Sequence, residues 1–173
     1  MKMLPLAAAV AAVVVSGCAT SPETISCLQP NRRVAVEVGG FKVKPAPEPK
    51  PGAKPGKPGR DNVLLKALAQ GDSAWDPGKA VLKDGGKAEL DKLVKTIHSG
   101  AGKDVRPTNV GSIIITGHTD AIEAAERANA NLDEERAKAV RDYLVSKGLD
   151  AKLIFWEGKD ANDPIPVTKF CDI

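Results

Sequence analysis

The chain has 173 residues, 42% of them hydrophobic but only 3% aromatic, with 25 lysines and arginines against 22 aspartates and glutamates for a net charge of +3. That length leaves room for one domain. No stretch is apolar over the about 20 residues that a membrane-spanning helix needs, and two histidines with no cysteine near either argue against a zinc centre.

The chain opens with Lys2 and the apolar run Leu4 to Val15, which leads into Val15-Ser16-Gly17-Cys18. The run is too short to span a bilayer and reads as a signal peptide over residues 1–17. Small residues directly before a cysteine resemble the bacterial lipoprotein kind. That resemblance implies cleavage before Cys18, lipidation of its thiol and amine, and, with Ala19 rather than aspartate following, the periplasmic face of the outer membrane. Several acyl chains anchor durably where one does not. An ordinary secretory signal with a chance cysteine is the alternative. Export puts Cys27 and Cys171 in a compartment where thiols pair.

Residues 18–26 are expected to be a lipidated tether. Over Arg32 to Val38, valines at 34, 36 and 38 alternate with Arg33, Ala35 and Glu37, which predicts a strand within residues 27–43. The segment 44–60 carries prolines at 45, 47, 49, 51, 55 and 58 and glycines at 52, 56 and 59, and is an extended linker. Its basic residues are read as solvated, with no nucleic-acid partner, although they could brush anionic cell-wall polymers or lipid headgroups. One strand cannot fold alone, so the strand before the linker must join a sheet built by residues 61–173.

In that part, Val63 to Leu68 and Ser73 to Asp76 read as strand pieces broken at Gly71. Leu90, Leu93, Val94 and Ile97 then mark a helix starting near Asp84 and stopping at Gly100. The β-branched run Ile113 to Thr116, bounded by Gly111 and Gly117, predicts a buried strand. Ala121 to Asn131 reads as a loop or short helix. Asp133 is expected to cap a second helix carrying Ala137, Val140 and Leu144, with Gly148 at its stop. Leu153 to Trp156 is a last strand before a polar tail. This order predicts an α/β two-layer sandwich, a mixed four-stranded sheet with two main helices on one face.

Three segments carry a family likeness: Trp75 to Lys83, Thr116-Gly117-His118-Thr119-Asp120, and Asn129 followed by Leu132 to Ala137 and Val140 to Leu144. They resemble the peptidoglycan-binding domain of the outer membrane protein A-like (OmpA-like) family. The family's closing strand reads roughly Asn-Arg-Arg-Val-Glu-Val after a cysteine pair. Here the second cysteine and that strand stand near the start, as Cys27 and Asn31 to Val38, and the first cysteine is Cys171. The resemblance therefore implies a circular permutation: the last family strand moved to the N-terminus, the old ends joined by the linker, and a Cys27–Cys171 disulfide across the opened loop. The alternative is that residues 19–60 are a plain tether and the sheet lacks its last strand.

The family binds meso-diaminopimelate, whose side chain ends in an ammonium and a carboxylate. The likeness assigns Asp120 to the ammonium, Arg136 to the carboxylate and Asn129 to the ligand backbone, with Asp76 and Arg33 bordering the groove. An arginine fork takes a carboxylate with two parallel hydrogen bonds. This sequence lacks the family glycine that shortly follows the Thr-Asp pair, has Ala128 in place of an aromatic, and is one residue longer between Asp120 and Asn129.

The function implied is a non-enzymatic tether with no cofactor, metal or catalytic residue, linking the outer membrane to peptidoglycan, with envelope proteins as further partners. The alternative is an interaction subunit of an envelope or secretion assembly that keeps the fold and has lost wall binding. Without the likeness, Asp120 would read as a turn cap and Arg136 as a solvated helix residue.

Overall fold

The computed structural model describes residues 21–45, 57–126 and 130–167. The valine alternation becomes β1, Arg33–Val43, running past the expected end at Val38. Val34, Val36 and Val38 are fully buried, and the residues between them face the other side of the sheet. β2, Arg60–Gln70, pairs antiparallel with β1 along its whole length, from Arg33 opposite Gln70 to Val43 opposite Arg60. At the hairpin end the Lys44 N–H donates to the Gly59 carbonyl at 2.9 Å.

The remaining elements are α2 (Asp84–Ser99), β3 (Asn109–His118), the short α3 (Ala121–Ala125), α4 (Leu132–Ser146) and β4 (Ile154–Gly158). A helix not anticipated from the sequence, α1 (Pro22–Leu28), precedes β1. Ser21 caps it by accepting the Thr24 N–H, and Leu28 is buried. Part of the expected tether is thus folded.

The sheet order is β2-β1-β3-β4, with β1 antiparallel to both neighbours and β3 parallel to β4. The strand that precedes the linker therefore fills the middle of a four-stranded sheet, so a sheet lacking it is excluded. The core lies between the sheet and two helices. Val34, Val36, Val38, Ile113, Ile115 and Ile154 meet Leu90, Leu93 and Ile97 of α2 and Ala137, Val140 and Leu144 of α4. The helices carry these residues at three- and four-residue spacing, which gathers them on one face.

Three local expectations are corrected. Ser73 to Asp76 is no strand: β2 ends in a 3-10 turn over Gly71–Ser73, with Gly71 at a φ of 65°. Trp75 then turns inward, fully buried, and donates its indole N–H to the Ala69 carbonyl at 3.0 Å. Asp133 does not cap α4. It lies inside the first turn, and its Oδ2 accepts the Asp160 N–H at 2.7 Å, fastening the loop after β4. The last strand is shifted toward the C-terminus, starting at Ile154 rather than Leu153 and reaching Gly158.

Two glycines set how closely α4 approaches the sheet. Gly117 and Gly158 are partners at the ends of β3 and β4. A Cβ on Gly117 would run into the Asp133 carbonyl oxygen, and one on Gly158 into the Asp133 carboxylate. Their bare backbones let the first turn of α4 rest directly on the strand ends, and Arg136 is carried in that turn's continuation.

Candidate functional site

At this end of the sheet the chain leaves β3 through Thr119 and Asp120. Asp120 is the N-cap of α3: its Oδ1 accepts the N–H groups of Ile122 and Glu123, both at 2.9 Å, while the Glu123 side chain returns to the Asp120 N–H at 3.4 Å. This reciprocal pair is a capping box. The second Asp120 oxygen accepts from Arg32 Nη1 at 2.9 Å, with both side chains about 1% exposed. Arg32 sits just before β1, where it also donates to the Ile25 carbonyl of α1 at 3.1 Å and pairs with Asp72 beyond β2. Its Nε is buried and finds no partner among the described residues.

Arg136 is fully buried. Its two Nη groups grip the Glu123 carboxylate in parallel, both at 2.7 Å. Nε donates to the Lys79 carbonyl at 3.0 Å, and longer bonds run to the carbonyls of Asp76 at 3.3 Å and His118 at 3.5 Å. The guanidinium lies 5.5 Å from the centre of the Trp75 ring. All five donors of the guanidinium are thereby engaged. The Gly78 N–H adds a bond of 2.9 Å to Glu123, which is itself only 4% exposed.

Asp120 and Arg136 therefore do not face each other across empty space. They meet on a third residue, because one Glu123 oxygen accepts from both the Asp120 N–H and the Arg136 fork. Beside this cluster opens a cavity of about 240 Å³. Arg32, Asp120, Glu123 and Glu126 supply its charged lining, and Ile25 and Ile122 its apolar walls.

The other nominated residues are placed differently. The backbone of Asp76 reaches Arg136, but its carboxylate points outward to Lys83 at 2.8 Å and Lys79 at 3.6 Å. The hydrogen bond from Lys83 holds that carboxyl below the usual range. Arg33 lies away from the cavity, under the C-terminal segment, where it donates to the Asp163 carbonyl at 2.6 Å and to Asn31 Oδ1 at 3.4 Å. Burial lowers its pKa. His118, next to it, is also held below its ordinary value, first by burial and then by the Arg33 charge. Asn129, Cys18 and Cys171 lie outside the described residues. Cys27 is disulfide-bonded.

Sequence reasoning missed Arg32 and Glu123. Adjacent residues entering a strand point to opposite faces, so only one of Arg32 and Arg33 could reach Asp120, and nothing local said which. Glu123 did leave a trace: Asp120-Ala121-Ile122-Glu123 has capping-box spacing directly after a strand.

Known proteins are similar to this chain in sequence. The OmpA family matches residues 74–170. The chain is 35% identical over 107 residues to outer membrane protein A of Bordetella avium, covering 62% of this chain and 50% of that protein. It is 34% identical over 123 residues to outer membrane protein A of Shigella flexneri, covering 71% of this chain and 30% of that protein. The chain thus spans half or less of the length of these relatives. Among solved structures, the OmpA-like domain of FopA1 from Francisella tularensis is similar at a TM-score of 0.43 and 24% identity, over 58% of this chain and 61% of that one.

Proposed function

Because the chain belongs to the OmpA family, we propose that it binds peptidoglycan non-covalently through the diaminopimelate of the stem peptide, and that a lipid on Cys18 ties this domain to the outer membrane. In this reading the protein is a tether and not an enzyme. Asp120 receives the ligand ammonium, Arg136 its carboxylate and Asn129 its backbone, while Asp76 contributes through its backbone contact to Arg136, and Arg33, which lies away from the cavity, has no part in it. The observation that carries the proposal is that Glu123 joins the Asp120 backbone N–H and the Arg136 fork in one buried cluster beside a charged cavity, although one residue lies just past β3 and the other in α4. An ammonium and a carboxylate on one ligand need a fixed anion and a fixed cation in one neighbourhood.

The same reading takes β1 as the family's last strand, moved to the front of the chain. Supporting this, the family match begins at Ala74, after β1, yet β1 occupies the middle of the sheet. The two sides of the opened loop meet as well: Asn31 accepts the Ile165 N–H at 2.7 Å and donates to the Ile165 carbonyl at 3.3 Å. Leu28 and Val167 line one cavity, which favours Cys171 as the partner of Cys27. Such a bridge would enclose nearly the whole domain and contribute up to about 4–5 kcal/mol in the chain-entropy account.

One observation favours a second reading, an envelope interaction subunit that has lost wall binding: both charged residues are already satisfied within the chain, Asp120 by Arg32 and Arg136 by Glu123. Co-sedimentation with isolated diaminopimelate-containing sacculi separates the two. The tether predicts retention of the full chain in detergent and its loss in Asp120→Ala and Arg136→Ala. Absence of retention, with a protein partner recovered from cells, selects the second reading.

A further inference from the structure

We infer that Glu123 fills a carboxylate-binding site of its own chain, and so competes internally with any ligand carboxylate that uses Arg136. The wall-binding reading above enters only through the identity of the outside ligand. Among the described residues, four donors converge on this one side chain: the two Nη groups of Arg136 at 2.7 Å, the Gly78 N–H at 2.9 Å and the Asp120 N–H at 3.4 Å. Two parallel bonds from a guanidinium, supplemented by backbone N–H groups, form the arrangement that recognises a free carboxylate.

The cradle does not depend on its occupant. Carbonyls of Lys79, Asp76 and His118 and the ring of Trp75 hold the guanidinium from its other sides. Gly78 presents its N–H from a turn with a φ of 65°. Taking the Glu123 carboxylate away leaves a fork already oriented. The occupant, by contrast, stands at the edge of an opening. Glu123 borders the cavity of about 240 Å³ and belongs to a helix of only five residues. A side chain leaving the fork has space to enter.

An internal carboxylate lowers apparent affinity by the fraction of molecules in which the fork is vacant. A tenfold bias toward the filled state weakens an outside ligand about tenfold, and removing Glu123 restores that factor. The same residue would set selectivity: in the wild type a ligand lacking the carboxylate loses little, whereas in Glu123→Ala the carboxylate becomes the stronger handle.

The test compares wild type, E123A, E123Q and E123A/R136A as full chains in detergent, with acetate as the probe and chloride at equal ionic strength as its control. E123A should melt below wild type and be raised saturably by acetate, while wild type and E123A/R136A should show no such rise. On sacculi, E123A should bind about tenfold more tightly than wild type, and E123Q, which keeps the shape without the charge, should move in the same direction. If acetate leaves E123A unmoved, or sacculi retain wild type and E123A to the same measurable extent, the inference is overturned, and wall binding stands wherever the wild type is retained. If acetate rescues E123A but sacculi retain no variant, the internal competitor stands and the tether reading falls. Should E123A not fold, E123Q decides: equal retention with wild type overturns the inference, and tighter retention supports it.

Discussion

Two clusters of opposite charges sit at opposite ends of the sheet and are built by different rules. At the hairpin end, Arg106 bridges Asp104 at 2.8 Å and Asp61 at 3.3 Å, with Lys42 and Lys44 alongside, and most of these side chains are a third or more exposed. At the other end, Arg32–Asp120 and Arg136–Glu123 are almost wholly enclosed. The first can borrow water for any bond it fails to make. The second cannot, so nearly every polar atom in it has been given a protein partner. Exposed pairs are worth little, whereas removing one member of a buried pair leaves an uncompensated charge. The buried end is therefore where a single change reaches stability most strongly.

Three measurements test that contrast, beginning with the largest effect. Arg136→Ala should lower unfolding free energy by about 3–5 kcal/mol, because it strands Glu123. Adding Glu123→Ala should recover part of that loss, so that the urea midpoint of the double variant lies above the sum of the singles. Full additivity would mean that the two residues do not act as a pair.

An intermediate effect comes from pH. His118 is held below its ordinary pKa by burial and by Arg33. The unfolded chain takes up a proton near pH 6.5, and the folded chain only at lower pH. The stability this residue contributes is thus complete above about pH 6.5 and is lost as pH falls toward the folded value. Urea midpoints at pH 7 and pH 5 should differ, and His118→Asn should narrow the difference. The smallest change is expected from Arg106→Ala: a slight fall in melting temperature at low salt that fades at high salt, as screening weakens exposed pairs.

Which of these features could be read beforehand follows from how local their causes are. The valines of β1 and the leucine spacing of α2 repeat at the period of their own elements, so strand, helix and inward face were all legible. Ser73 to Asp76 was misread because Trp75 there is a core residue delivered by a turn, and a short apolar stretch does not reveal the difference. Asp133 has the chemistry of a cap, yet its carboxylate serves the backbone of Asp160 from a distant loop. Asp120 and Arg136 could be nominated from motif resemblance, but their partners could not. Arg32 stands 88 positions from Asp120 in the chain, and Glu123 lies in an alanine-rich stretch with no apolar stripe. Its meaning comes only from a guanidinium 13 positions later.

The central position of β1 also decides how the molecule would carry a mechanical load. A pull on the N-terminal side enters through α1 and runs along the axis of a strand bonded on both flanks, to β2 over eleven rungs and to β3 over most of the same length. Force in that direction slides the ladders past each other and strains many bonds together instead of peeling them one at a time. An edge strand at the point of attachment would unzip. Here the first strand met from the N-terminal side is the one whose extraction requires both halves of the sheet to yield at once.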